Sequence, residues 1–64
     1  MNIKTIRKDR KISMETLSER TGMQIATLYN YQSGKREPDI KGLIMIADAL
    51  GCTVDELIRE KEDA

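Results

Sequence analysis

The segment Ser13–Pro38 constrains the fold of this chain most strongly, because it predicts two short helices joined at a glycine. Ser13 can cap the first of these helices through its hydroxyl group. Gly22 ends that helix, since glycine adopts a left-handed backbone without steric cost. The second helix begins near Gln24 or Ile25. Two helices this short cannot form a hydrophobic core of their own, so they must pack against other parts of the chain.

One helix is predicted before this segment. It spans about Asn2–Arg10, where Ile3 and Ile6 share a face and Arg10 extends the same row. The helix after the glycine turn continues to Gln32. A basic loop follows it and ends at a proline, which prevents the helical conformation in the residue before it.

Two more helices are predicted after the proline. Asp39 is a suitable N-cap for a helix over Ile40–Leu50, and Gly51 ends it. Thr53, with Glu56 three residues later, has the pattern of a capping box and starts the last helix. The sequence therefore predicts five helices and no strand.

The predicted core is aliphatic, since the chain has no Trp, no Phe and only two Tyr. With 64 residues, the chain has room for one small domain. We expect residues 1–64 to form that domain, with an ordered core over about residues 2–60 and a charged tail that frays. The side chains expected to point inward are Leu17, Thr21, Met23, Leu28, Tyr31, Ile40, Leu43, Ile44, Ala47, Leu50, Val54, Leu57 and Ile58.

Composition argues against several classes of protein. The single cysteine, Cys52, cannot form an internal disulfide, so we expect a reducing, cytoplasmic location. Cys52 itself fits a small apolar residue at the corner between the last two helices better than a redox sensor. We expect no secretory signal, because residues 1–12 are charged throughout, and no membrane span, because the sequence has no long apolar run. Without histidine, a metal-ligand cluster or a Gly-rich phosphate loop, we expect neither an enzyme nor a cofactor or small-molecule ligand.

The charges are divided unevenly along the chain, although the net charge is zero. Residues 1–36 contain eight basic and three acidic side chains, a balance of +5. Residues 37–64 contain three basic and eight acidic side chains, a balance of −5. Such a chain can present a positive face to a polyanion and stay soluble through the other half. An accidental asymmetry of a solvated surface is the alternative.

The helix after the glycine turn has an outward side without any charged residue, which we call the uncharged face. The uncharged face consists of Gln24, Ile25, Ala26, Thr27, Tyr29 and Asn30. Ordinary surface helices carry Glu and Lys at such positions. Amide, hydroxyl and methyl groups are the groups that contact base edges and thymine methyls in the DNA major groove. A merely polar surface is the alternative, and the absence of charge argues against it.

Taken together, these features resemble the Cro/repressor-type (XRE-like) helix-turn-helix domains. The resemblance rests on the segments IRKDRKIS, TLSERTGM, TLYNYQSGKREPD and IADALGCTVDELI, and it extends over about Ile3–Ile58. It implies a compact all-α five-helix bundle of the lambda-repressor-like type, in which helices 2 and 3 form the helix-turn-helix. It also implies binding to operator DNA as a two-fold dimer, with the start of the third helix in the major groove.

The resemblance implies roles for individual side chains. Base contacts are expected from Gln24, Ile25, Ala26, Thr27 and Asn30. Phosphate contacts are expected from Ser13, Met14, Lys35 and Arg36. These roles agree with the chemistry, because helix N-termini and basic side chains both attract phosphate.

Departures from the family pattern affect these expectations. Gln32 stands where the family usually has Glu, so its pair with Arg7 is at best a hydrogen bond and Arg7 is freer to reach a phosphate. Met14 replaces a common Gln and can offer a phosphate only its backbone. Asp39 caps its helix but repels a nearby phosphate. Tyr29 either places its hydroxyl group on a phosphate or covers the end of the first helix.

The sequence therefore predicts a sequence-specific DNA-binding transcriptional regulator that represses from a palindromic operator as a homodimer. Met45 and Ile46, together with the fifth helix, are the expected dimer surface, and an idle surface is the alternative for Met45. Double-stranded DNA is the expected partner, and no membrane is expected. The main alternative is a protein-interaction module of the same fold, such as an antitoxin or a phage modulator, that does not bind DNA specifically.

Overall fold

The computed structural model describes residues 1–59, and within this range the chain forms five helices and no strand. They are α1 (Ile3–Asp9), α2 (Met14–Thr21), α3 (Ile25–Ser33), α4 (Ile40–Leu50) and α5 (Val54–Ile58). The predicted all-α architecture is confirmed, with helix ends within one residue of those expected. The predicted fraying of the tail concerns residues 60–64, which lie outside the described residues.

The predicted N-caps are present in the structure. The Ser13 hydroxyl accepts the Thr16 N–H at 3.1 Å, and the Asp39 carboxylate accepts the N–H of the third residue of α4 at 2.8 Å. At α5, Thr53 and Glu56 form the reciprocal capping box. Each cap satisfies an N–H group that has no partner within its own helix, and each contributes about 1 kcal/mol to helix stability.

A left-handed residue follows each of the helices α1 to α4. Gly22 has a φ of 72°, as the predicted turn requires. The segment after α1 was not expected to behave in this way, but Lys11 has a φ of 55° there. A left-handed conformation costs a residue with a Cβ roughly 1–2 kcal/mol, so the surrounding packing must compensate.

The core is centred on α4, which packs against α2 and α5, and α1 and α3 each add a fully buried side chain. Its buried side chains are Ile3, Ile12, Met14, Leu17, Leu28, Ile46, Ala47, Ala49, Leu50 and Leu57. Tyr31 is half-buried and packs against this cluster, as expected. Met23 does the same at the corner between α2 and α3, which confirms its predicted position.

The structure corrects the predicted apolar face of α4. Ile46, expected on a dimer surface, is 0% exposed and belongs to the core. Ile40 and Ile44, expected to point inward, are 75% and 47% exposed. The helix is apolar on almost every side, so its periodicity did not determine which side would be buried. Ile58 of α5, also expected to point inward, is 49% exposed.

Two arginines hold the C-terminal end of α4. The Arg10 guanidinium donates to the Leu50 carbonyl at 3.0 Å and to the Gly51 carbonyl. The Arg20 guanidinium donates to the Ala49 carbonyl at 2.9 Å. The last carbonyls of a helix carry partial negative charge, so these cations stabilise α4 and attach it to α1 and α2.

Cys52 lies at the corner between α4 and α5, where its N–H donates to the Ala47 carbonyl at 3.0 Å. Its side chain is half-buried against the core, in agreement with the expectation of a small apolar residue. Burial raises the pKa of the Cys52 thiol, and the nearby Glu56 carboxylate raises it further.

Candidate nucleic-acid interface

The turn between α2 and α3 is held by two side-chain hydroxyl groups. The Thr21 hydroxyl donates to the Leu17 carbonyl at 2.9 Å and accepts the Met23 N–H at 3.2 Å. The Ser18 hydroxyl donates to the Met23 carbonyl at 2.5 Å. Both backbone groups of Met23 are therefore bonded to α2. This arrangement fixes the direction in which α3 leaves the turn.

The N-terminal end of α3 is open. Gln24 occupies the N-cap with an extended backbone but makes no side-chain cap. The first N–H groups of the helix therefore have no side-chain acceptor, and such groups attract negative charge. Leu28 is 0% exposed and anchors the helix on its inner side. Of the uncharged face, Gln24, Ile25, Ala26 and Tyr29 are exposed, and Thr27 and Asn30 are half-buried.

The amides of the uncharged face are free to bind another molecule. Among residues 1–59, the side chains of Gln24 and Asn30 make no hydrogen bond, although their backbone groups do. The Tyr29 ring is 51% exposed and is not among the side chains packed on the core. These positions offer donors, acceptors and methyl groups on one helix, without a charge. Their contacts with bases and phosphates stay predictions.

The loop after α3 is held by its backbone. The Arg36 N–H donates to the Asn30 carbonyl at 3.1 Å, and the Gly34 N–H donates to the Tyr31 carbonyl at 3.2 Å. Lys35 and Arg36 are exposed. The one ion pair within the described range joins Asp55 of α5 to Arg59 and does not involve either of them. Both cations are therefore available on a loop of defined backbone.

The start of α2 offers backbone groups only. The Ser13 hydroxyl already serves as the cap, and it also donates to the Thr16 hydroxyl at 2.9 Å. The Met14 side chain is 4% exposed and belongs to the core. A phosphate at this position would meet the N–H groups of the first turn, which is the contact expected from the sequence.

Arg7 is held between α1 and α3. Its Nε and Nη2 atoms donate to the Gln32 Oε1 atom at 3.3 and 3.1 Å. Its Nη1 atom donates to the Ile12 carbonyl at 3.2 Å. The expected hydrogen bond between Arg7 and Gln32 is therefore present. The contact between Arg7 and a phosphate stays a prediction.

The positive charge of the first 36 residues is only partly presented at the surface. Arg7, Arg10 and Arg20 donate to carbonyl or amide oxygens within the fold. Within these 36 residues, the exposed basic residues whose side chains make no hydrogen bond in the described structure are Lys4, Lys8, Lys11, Lys35 and Arg36. The charge available to a polyanion is thus carried mainly by lysines and by the loop after α3.

Sequence reasoning missed the two hydroxyl groups of the turn. Thr21 was expected to be a core residue and is indeed 5% exposed, but its hydrogen bonds were not expected. The sequence does contain a weak signal. Short hydroxyl side chains near a helix end bond readily to the carbonyl four residues earlier, and Thr21 directly precedes Gly22.

Comparison with known proteins gives a consistent set of matches. The family model described as helix-turn-helix matches residues 3–57. The uncharacterized HTH-type transcriptional regulator YqaE of Bacillus subtilis (strain 168) is 33% identical over 58 residues, which cover 91% of this chain and 50% of YqaE. The HTH-type transcriptional regulator AnsR of the same strain is 36% identical over 58 residues, covering 89% of this chain and 50% of AnsR.

The chain spans about half the length of these two curated relatives. No solved structure gave a significant match. Within residues 1–59, every helix is too short to cross a membrane as an apolar span.

Proposed function

This chain belongs to the XRE-type helix-turn-helix family of transcriptional regulators, and from that premise we propose that it represses transcription by binding double-stranded DNA sequence-specifically. Residues 1–64 would act as a single DNA-binding domain in the cytoplasm. The names of the matched relatives are those of regulators and not of enzymes. Repression follows from occupancy, because a bound domain blocks access of polymerase to the same DNA.

The uncharged face of α3 is the observation that carries this proposal. The amide side chains of Gln24 and Asn30 make no hydrogen bond among the described residues, and the loop that follows carries two exposed cations. In this proposal α3 enters the major groove. Gln24, Ile25, Ala26, Thr27 and Asn30 meet base edges there. Lys35, Arg36, Tyr29, Arg7 and the first turn of α2 at Ser13 and Met14 meet phosphates, which set the position of the domain without reading sequence.

We further propose that two copies bind a palindromic operator. Two-fold symmetry would place two α3 helices in successive major grooves about 34 Å apart. The exposed apolar side chains of Ile40, Ile44 and Ile58 support pairing through α4 and α5, because a second copy would remove them from water. Met45 is 44% exposed but lines a separate hollow with Arg20. It is therefore weaker support for a dimer surface than the three isoleucines.

A salt titration with matched lysine variants tests DNA binding. Lys35 and Lys41 are both exposed, but only Lys35 lies on the loop proposed to contact phosphate. We expect Lys35→Ala to weaken binding to all sequences and to reduce the slope of log affinity against log salt by about 0.9. Lys41→Ala should leave the slope unchanged. If the affinity of the unaltered chain does not fall with salt, phosphate contacts do not drive binding, and the proposal is wrong.

A further inference from the structure

We infer that Arg7 and Gln32 together form one cationic donor group for a single backbone phosphate, an inference that rests on the proposed function. Arg7 belongs to α1, and Gln32 belongs to the last turn of α3. Two hydrogen bonds join them, at 3.3 Å from Nε and 3.1 Å from Nη2 to the same Oε1 atom. Both side chains are half-buried, so the fold holds the pair in place.

The chemistry of the pair matches a phosphate because it combines donors with an uncompensated charge. The Gln32 Oε1 atom accepts both bonds, which turns the Nε2 group and its two N–H donors away from Arg7. Within residues 1–59, this Nε2 group makes no hydrogen bond and Arg7 has no carboxylate partner. An amide cannot neutralise a guanidinium. The pair therefore keeps a full positive charge and offers only donors, whereas phosphate oxygens are acceptors.

The position of the pair places it between two elements proposed to meet the DNA backbone. Arg7 Nη1 donates at 3.2 Å to the carbonyl of Ile12, which directly precedes the N-cap of α2. Gln32 lies at the end of α3, three residues before the exposed Lys35. The pair thus connects the N-terminus of α2 with the basic loop. A phosphate bound by the pair would therefore lie between the phosphates proposed to contact these two elements.

For one substitution, a purely structural role for the pair predicts unchanged DNA binding, whereas a phosphate role predicts weaker DNA binding. If the pair only fastens α1 to α3, a carboxylate at position 32 should serve as well or better, since its negative charge adds attraction to bonds whose donor is already charged. Such a carboxylate would neutralise Arg7 and replace two donors with acceptors. Gln32→Glu should then preserve stability and weaken DNA binding.

The test compares Gln32→Glu with Thr5→Glu, which adds the same negative charge. Thr5 is exposed on α1, about 160° around the helix axis from Arg7. We measure dissociation constants for a random-sequence DNA duplex at several salt concentrations, together with the urea midpoint of unfolding. For Gln32→Glu we expect about a tenfold weaker affinity and a salt slope smaller by about 0.9. Its urea midpoint should be no lower than that of the unaltered chain.

The outcomes separate this inference from the proposed function. If the unaltered chain binds with a clear salt dependence and Gln32→Glu binds with the same affinity and slope, the phosphate role of the pair is overturned. Equal losses in Gln32→Glu and Thr5→Glu also overturn it, because only overall charge would then matter. If even the unaltered chain fails to bind the duplex at low salt, the proposed function itself is wrong, and the inference falls with it.

Discussion

Replacing Thr21 by valine tests whether the hydroxyl group at the turn determines the placement of α3. Valine has nearly the shape of threonine but can neither donate to the Leu17 carbonyl nor accept the Met23 N–H, bonds of 2.9 and 3.2 Å. Each such bond contributes about 1 kcal/mol net, and the Met23 N–H is left without a partner. We therefore expect the free energy of unfolding to fall by about 2 kcal/mol. For a domain of this size, that change lowers the melting temperature by about 8–16 °C.

Thr21→Ser is the matched control, because serine keeps the hydroxyl group and loses only a buried methyl group. Its expected cost is about 0.8 kcal/mol. Melting temperatures can be measured by circular dichroism during heating. The unaltered chain should melt at the highest temperature, Thr21→Ser at a lower one and Thr21→Val at the lowest. DNA affinity, measured where all three are folded, should fall most for Thr21→Val. A Thr21→Val variant as stable as Thr21→Ser would refute the claim that these hydrogen bonds hold the turn.

Three further predictions concern the elements that support the interface. Gly42→Ala should destabilise the chain despite a better helix propensity, because its Cβ would lie 2.9 Å from the Cβ of the buried Pro38; urea unfolding measures the loss. Arg20→Met keeps the aliphatic stem but removes the hydrogen bond to the Ala49 carbonyl of α4, so the free energy of unfolding, measured in urea, should fall by about 1 kcal/mol. The capping-box bonds from Thr53 hold the pKa of Glu56 below its ordinary 4.5. Its contribution to stability is therefore present above pH 4.5 and lost as pH falls through the folded-state pKa, so the stability difference between the unaltered chain and Glu56→Gln should shrink in acid.

The local signals in the sequence predicted the helices well because each end depends on a few neighbouring residues. The caps at Ser13, Asp39 and Thr53 and the left-handed turn at Gly22 are all formed as expected. Caps and left-handed glycines act within one turn of helix, so their effect can be deduced without knowing the rest of the fold.

Predictions that depended on packing between distant elements were less successful. Ile46 and Ile40 exchanged their expected places because α4 is apolar on nearly all sides, and only its neighbours determine which side is buried. Arg10 was expected to extend the row of Ile3 and Ile6 on α1, but its bonds to carbonyls 40 and 41 residues further along the chain were not expected. Such long-range hydrogen bonds leave no periodic signal in the sequence.

Some features of the candidate site depend on local sequence and could be predicted, whereas others depend on long-range packing. The exposure of Gln24 and Lys35 could be predicted, because helix period and loop position determine it locally. The hydrogen bond between Arg7 and Gln32 was expected only from the family resemblance, since the two residues lie 25 positions apart. The additional bond from Arg7 to Ile12, which attaches the pair to the start of α2, was not anticipated.

Enrichment of random DNA by the purified chain tests the central claim most directly. We expect a palindrome whose half-sites are separated by about 10–10.5 base pairs or a multiple of that spacing. Asn30→Ala and Gln24→Ala should each relax one position per half-site, at a cost of about 1–3 kcal/mol for a lost bidentate contact. Recovery of no preferred sequence, or of an unchanged motif with both variants, would contradict the claim that the uncharged face of α3 reads DNA.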